Sequence, residues 1–142
     1  MSVERDLIKR LNLVPLAGEG GFFSEIYRDD SSNAIYFLII SPDFSAWHRI
    51  PQPEMWLHLS GDPLELYTIE NDSLQLNILG HDVGNLHYRV SAQTWMAARS
   101  TGSFSLMSCS LTPAFTGMEL ATRDSLFREF PQISDIPELF HV

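Results

Sequence analysis

From residue 22 to residue 111 the chain repeats one unit, a short β-favouring run followed by a cluster of turn residues. The runs fall at 22–28, 34–40, 44–50, 54–59, 64–70, 74–79, 86–90, 94–98 and 104–111. The gaps between them, such as Asp29-Asp30-Ser31-Ser32-Asn33 and Ser41-Pro42-Asp43, are of hairpin length. A parallel sheet needs a crossover of a dozen residues or more between strands, and no gap is long enough for one. The pattern therefore predicts an antiparallel all-β fold. So many strands leave edges that must be managed, either in a sandwich or in a closed barrel.

Helices are expected only at the two ends. Val3, Leu7, Ile8 and Leu11 recur at helical spacing behind Ser2, a capping residue, which predicts a helix over 2–12. Pro15 and the glycines Gly18, Gly20 and Gly21 then break the chain. Leu126, Phe127 and Phe130 predict a second helix over 124–130, stopped by Pro131. The last residues carry Pro137 and Phe140, too apolar for a free tail, and are expected to pack on the body. A length of 142 residues suits one domain, 1–142, with a core over about 20–121. Hydrophobic residues make up 44% and charged residues 19%, enough apolar surface for a packed core.

Charge and cysteine content remove several function classes. The net charge of −9 repels phosphate backbones and anionic lipid, so neither nucleic acid nor a membrane surface is an expected partner. The single cysteine, Cys109, excludes an internal disulfide framework and a four-cysteine zinc site. The N-terminal residues carry no basic, then apolar, leader pattern, and the longest apolar run is 34–40, too short to span a bilayer. The expected location is the cytoplasm.

The densest chemistry lies between residues 44 and 66. Glu54, Trp56 and His58 share one face of a strand, because side chains alternate with period two. Met55, Leu57 and Leu59 take the other face, so both faces are largely apolar or aromatic. A carboxylate and an imidazole on a buried strand face cost several kcal/mol unless paired or functional. His48 precedes Glu54 by a turn stiffened by Pro51 and Pro53, which is able to set His48 opposite the Glu54 strand.

The spacing His48, five residues, Glu54, six residues, Gly61 resembles the first motif of the cupin superfamily. The flanking blocks resemble one group of it, cupin-5. They are Glu19-Gly20-Gly21-Phe22-Phe23 with Glu25 and Tyr27-Arg28, Ala34-Ile35-Tyr36-Phe37-Leu38, Phe44-Ser45-Ala46-Trp47-His48-Arg49, Glu54-Met55-Trp56, Gly61-Asp62-Pro63-Leu64-Glu65-Leu66 and Trp95-Met96-Ala97-Ala98-Arg99. The resemblance implies a double-stranded β-helix, the jelly-roll barrel, with short terminal α-helices. It also implies a small-molecule ligand inside the barrel, a homodimer, and a likeness in shape to deoxysugar epimerases. Two departures bear on chemistry. The second histidine of the first motif falls at Ile50, and the histidine of the second motif falls at Met96. Of the four usual metal ligands only His48 and Glu54 stand, with His58 as a conceivable substitute. A catalytic metal wants three protein ligands. The expectation is no cofactor, a transition metal at His48 and Glu54 being disfavoured.

The candidate catalytic residues are therefore His48, as general base, and Glu54, as the group that orients it or returns the proton. Against this stands a plain reading of both as hydrogen-bonded structural residues. The candidate ligand-binding residues are Tyr36, Trp56, His58, Trp95 and Arg28. Either tryptophan serves as an aromatic floor or as core filling. Alternation alone leaves the direction of Tyr36 open. Arg28 serves as an anion clamp or as half of an exposed salt bridge with Glu25. Cys109 reads as a small buried hydrophobe, and His81, His87 and His141 as surface or turn residues without partners. Three functions stay open: metal-independent proton transfer on a sugar-like or polar metabolite, binding without chemistry, and a metal-dependent oxygenase or isomerase with a reduced ligand set.

Overall fold

Among residues 2–141, which the computed structural model describes, two helices flank eleven strands. Helix α1 (Val3–Leu11) is followed by β1 (Val14–Pro15), β2 (Phe22–Arg28), β3 (Asn33–Ile40), β4 (Ser45–Arg49), β5 (Glu54–Gly61) and β6 (Leu64–Glu70). Then come β7 (Ser73–Leu79), β8 (His87–Val90), β9 (Met96–Ser100), β10 (Phe104–Leu111), β11 (Glu119–Leu120) and α2 (Arg123–Glu129). The strands form two antiparallel sheets, β1-β2-β3-β10-β5-β8 and β11-β4-β9-β6-β7. The two-residue strands β1 and β11 leave no periodic signal and were not expected from the sequence.

The two sheets face each other across one apolar interior. Phe37 and Ile39 from β3, Trp56 from β5, Leu64 and Leu66 from β6, Met96 and Ala98 from β9, and Met107 and Cys109 from β10 meet there. The outer faces are covered too. Leu7, Ile8 and Leu11 of α1 pack with Leu13 on Tyr36, Leu38 and Ile40 of β3 and on Leu106 of β10. That cover explains why β3 reads as an unbroken apolar run: each of its faces has something to pack against. Ser2 caps α1, its side chain accepting from the Arg5 N–H at 3.1 Å, and Asn12 ends it in the left-handed region at φ 56°.

The second sheet is covered by α2 and the chain end. Trp47, Tyr67, Ile69, Trp95 and Ala97 pack under Leu126, Phe130, Ile136 and Leu139. The Trp47 indole N–H donates to the Pro137 carbonyl at 2.9 Å, and its backbone N–H donates to Leu139 at 3.0 Å. His141 stacks on Phe44, with ring centroids 4.1 Å apart, and its Nε2 donates to the Phe44 carbonyl at 3.0 Å. The expectation that His141 has no partner is thus corrected. The chain end is pinned to the body, as its apolar composition requires. No helix among the described residues is long and apolar enough to cross a membrane.

Candidate functional site

On β5 the period-two face turns inward as its sequence demands. Glu54, Trp56 and His58 are 5%, 1% and 3% exposed. Glu54 lies at the end of the strand where the interior is not filled. A cavity of about 130 Å³ opens there. Its apolar wall comes from Leu16, Phe23, Ile35, Ile50, Leu111, Phe115 and Met118. Its polar groups are Glu19, Glu25, Asn33 and Glu54. Broader surface grooves, of about 410 and 270 Å³, run past Arg49, but neither is lined by a buried polar atom that lacks a partner.

Glu19 is the residue that changes the picture. It lies in the loop between β1 and β2, and its carbonyl accepts from the Ala46 N–H at 2.8 Å. Asp43 accepts from the Gly21 N–H at 2.8 Å and fixes the same loop. Gly20 sits at φ 99°, where a Cβ would overlap the Phe44 carbonyl and the His141 ring, so only glycine allows this close approach. The loop delivers a buried carboxylate to β4. Ser45 Oγ donates to Glu19 Oε2 at 2.6 Å, and His48 Nε2 stands 3.7 Å from the same oxygen. Residues three apart on a regular strand point to opposite faces. The pairing of β4 with β9 shifts between Ser45 and His48, and that bulge lets both reach Glu19.

The far side of the His48 ring is also committed. Nδ1 lies 2.7 Å from the Ala46 carbonyl oxygen, which only accepts, so Nδ1 carries the hydrogen and Nε2 turns to Glu19. His48 does not itself line the cavity; Glu19 stands between them. Glu54 differs sharply from Glu19. Its Oε1 is buried without a hydrogen-bond partner, as is the indole nitrogen of Trp56. Burial pushes its pKa up to about 8, and the negative charge of Glu19 adds to the rise; the nearby Trp56 indole offsets part of it. Glu54 is therefore largely a neutral acid at pH 7. The same surroundings, burial first and then Glu54 and Glu19, drive the Cys109 thiol up, which makes it a poor nucleophile.

The other sequence candidates lie elsewhere. Trp56 fills the interior, edge-on to Phe37 at 5.8 Å. His58, further along β5, bonds through Nε2 to the Asp62 carbonyl at 3.0 Å and leaves Nδ1 bare. Tyr36 packs in the outer cluster under α1, and Trp95 in the outer cluster under α2, its ring covered by the Arg49 guanidinium at 4.4 Å. Neither lines the cavity: Tyr36 sits on the β3 face opposite the interior, and Trp95, just before β9, packs under α2. Arg28 sits at the rim, with Nη1 3.9 Å from Glu25 and Nη2 donating to the Phe115 carbonyl at 2.6 Å. It helps Asn33, which accepts from the Phe115 N–H at 2.8 Å, to hold the loop after β10 as a wall.

This sheet topology and this glutamate–histidine end match a known pattern. The family described as cupin superfamily (DUF985) matches residues 5–121. The chain belongs to that cupin family. A hypothetical protein from Leishmania major superposes with a TM-score of 0.85 at 28% identity, over 92% of this chain and 94% of that one. A protein from Shewanella oneidensis gives 0.86 at 30% identity, over 93% and 92%. A cupin 2 conserved barrel domain protein from Rhodopseudomonas palustris shares the fold at 0.62 and 13% identity, over 84% and 85%. No curated protein matches in sequence.

The cupin fold is associated with a metal held by histidines and a glutamate, and the residues here do not fit one. Among the described residues no group of three or more His, Cys, Asp and Glu is arranged to hold an ion. Met96 stands opposite His48 in the β4–β9 pairing, and Ile50 is part of the apolar wall. No chemical step is therefore routed through a metal. Glu19, Ser45 and Asn33 were not singled out as site residues from the sequence. The available signal for Glu19 was its place in the glycine-rich block Glu19-Gly20-Gly21-Phe22-Phe23 that resembles the cupin-5 group.

Proposed function

We propose that this cupin binds a small molecule at the Glu54 end of its barrel and moves protons on it without a metal. The observation that carries the reading is Glu54: a buried, largely neutral carboxyl on a cavity wall, with one oxygen that has no hydrogen-bond partner among the described residues. A carboxylic acid kept neutral at pH 7 by its surroundings is suited to donate a proton. Glu19, the second carboxyl on the wall, is the matching base, anchored by Ser45 and backed by His48.

The step this pair supports is enolisation. A proton leaves the carbon beside a substrate carbonyl and joins a Glu19 oxygen, while the C–H electron pair forms the enol double bond. The carbonyl oxygen takes the proton of Glu54. Return of both protons regenerates the carbonyl, at the same or a different carbon face. His48, with Nδ1 tied to Ala46, offers Nε2 as the next site for the proton held by Glu19. A cavity of about 130 Å³ limits the part of the substrate enclosed to something near the size of benzene, which an engineered apolar cavity of about 150 Å³ accepts.

The test is hydrogen–deuterium exchange. A panel of small aldehydes and ketones, neutral and charged, is incubated with the protein in D₂O and followed by proton NMR. Exchange catalysed by the wild type, falling above about pH 8 as Glu54 ionises and absent in Glu54→Gln, supports the reading. A compound that binds and is recovered with no exchange identifies a binding module instead.

A further inference from the structure

We infer that the cavity takes a small organic cation, an ammonium or other onium group with an apolar body. The inference rests on the cavity being a ligand site, not on the proton-transfer step. Its polar wall is acidic. Glu19, Glu25 and Glu54 line it, and no Lys, Arg or His does among the described lining residues. The two nearest bases are already committed. Arg28 bonds the Phe115 carbonyl and faces Glu25 at the rim, and His48 lies behind Glu19 with its other nitrogen on Ala46.

An acidic cluster alone is no site. The independent observation is Glu54 itself, 5% exposed, which lines the cavity and whose buried Oε1 has no hydrogen-bond partner among the described residues. An orphan acceptor beside a void calls for a donor or a positive charge from outside. The rest of the wall is chosen for an apolar body. Phe23 and Phe115 flank it, and ring faces attract a desolvated cation further. An anionic ligand would meet the Glu19 charge with nothing to neutralise it, whereas a cation would draw the neutral Glu54 towards its charged form. The whole-chain charge of −9 biases encounter in the same direction.

Three probes of similar compact shape separate the possibilities: tetramethylammonium, neutral tert-butanol and anionic pivalate. Each is titrated into the full chain by calorimetry, with methyl NMR at Ile35, Ile50 and Leu111 to place binding in the cavity. Tetramethylammonium is expected to bind at least about tenfold tighter than tert-butanol, with pivalate not binding. Glu54→Gln is expected to remove about that tenfold advantage while tert-butanol stays within about twofold. Glu25 is exposed, so Glu25→Gln tests the same claim without disturbing the core, with a loss of about two- to threefold that shrinks with added salt. Equal or tighter binding of tert-butanol or pivalate overturns the cation assignment and leaves the cavity a ligand site. No saturable binding by any probe up to about 0.1 M overturns both. Proton exchange is scored separately, so its failure is not confused with either.

Discussion

The two ends of β5 carry the same kind of residue to different ends. At one end His58 is tied down: its Nε2 bonds the Asp62 carbonyl, which also accepts from Ser105 Oγ, and Ser105 pairs with Ser100 at 2.8 Å. Its ring sits edge-on to His81, with centroids 5.1 Å apart. One nitrogen, Nδ1, is left bare, a cost of about 1–3 kcal/mol for a neutral group. At the other end Glu54 meets a void, has an unsatisfied oxygen and shares its surroundings with a second carboxyl. A charge buried that way costs far more than a bare imidazole nitrogen, so the protein keeps Glu54 protonated. The contrast separates a polar group that stabilises a turn from one held ready for a ligand.

The largest expected effect tests this contrast directly. Glu54→Gln should lower proton exchange by about 10²–10⁴-fold, the usual worth of a positioned acid or base. His58→Gln should leave exchange within about twofold and cost about 1–2 kcal/mol of stability in urea unfolding. If His58→Gln removes exchange and Glu54→Gln does not, the two ends have been assigned the wrong way round.

A second effect of a few kcal/mol concerns pH. Glu54 titrates near 8 in the folded chain against an ordinary 4.5. Between those values the folded state holds a proton that the unfolded state has lost, so stability is full below about 4.5 and falls as pH rises to about 8. The fall is about 1.4 kcal/mol per pH unit at most, and about 5 kcal/mol at most over the window. Glu54→Gln removes it. Urea unfolding of both proteins from pH 5 to pH 9 should give curves that converge in slope only above about 8. Parallel curves throughout would mean that Glu54 is charged and paired.

What the sequence carries and what it hides follow from one geometric fact. Period-two alternation says which residues share a face, not which face is inside. On β5 the carboxylate and the imidazole marked a face, and Glu54, Trp56 and His58 indeed turn inward together. On β3 both faces are buried, one in the interior and one under α1, and Trp95 falls just before β9 under α2, so neither Tyr36 nor Trp95 carried a directional signal. The strand rhythm itself was legible from turn chemistry, and it led to the two-sheet fold. Glu19 was not legible, because a loop residue has no periodicity and its place depends on Asp43, Ala46 and Gly20 far along the chain. The bulge in β4 was equally hidden: without it Ser45 and His48 would be assigned to opposite faces.

That bulge supplies the smallest and most discriminating test. Ser45 Oγ gives Glu19 a 2.6 Å hydrogen bond inside the protein. Ser45→Ala withdraws one donor from a buried carboxylate, at a cost of about 1–2 kcal/mol in stability. If Glu19 is the base, a less anchored carboxylate also becomes a slower one. Exchange should then fall about three- to tenfold. Ser45→Thr keeps the hydroxyl and should restore the rate. A Ser45→Ala protein that is less stable yet exchanges protons at the wild-type rate would make Glu19 a structural carboxylate. It would then resemble the His58 end of β5, and Glu54 would be left as the one group at this site that faces a ligand.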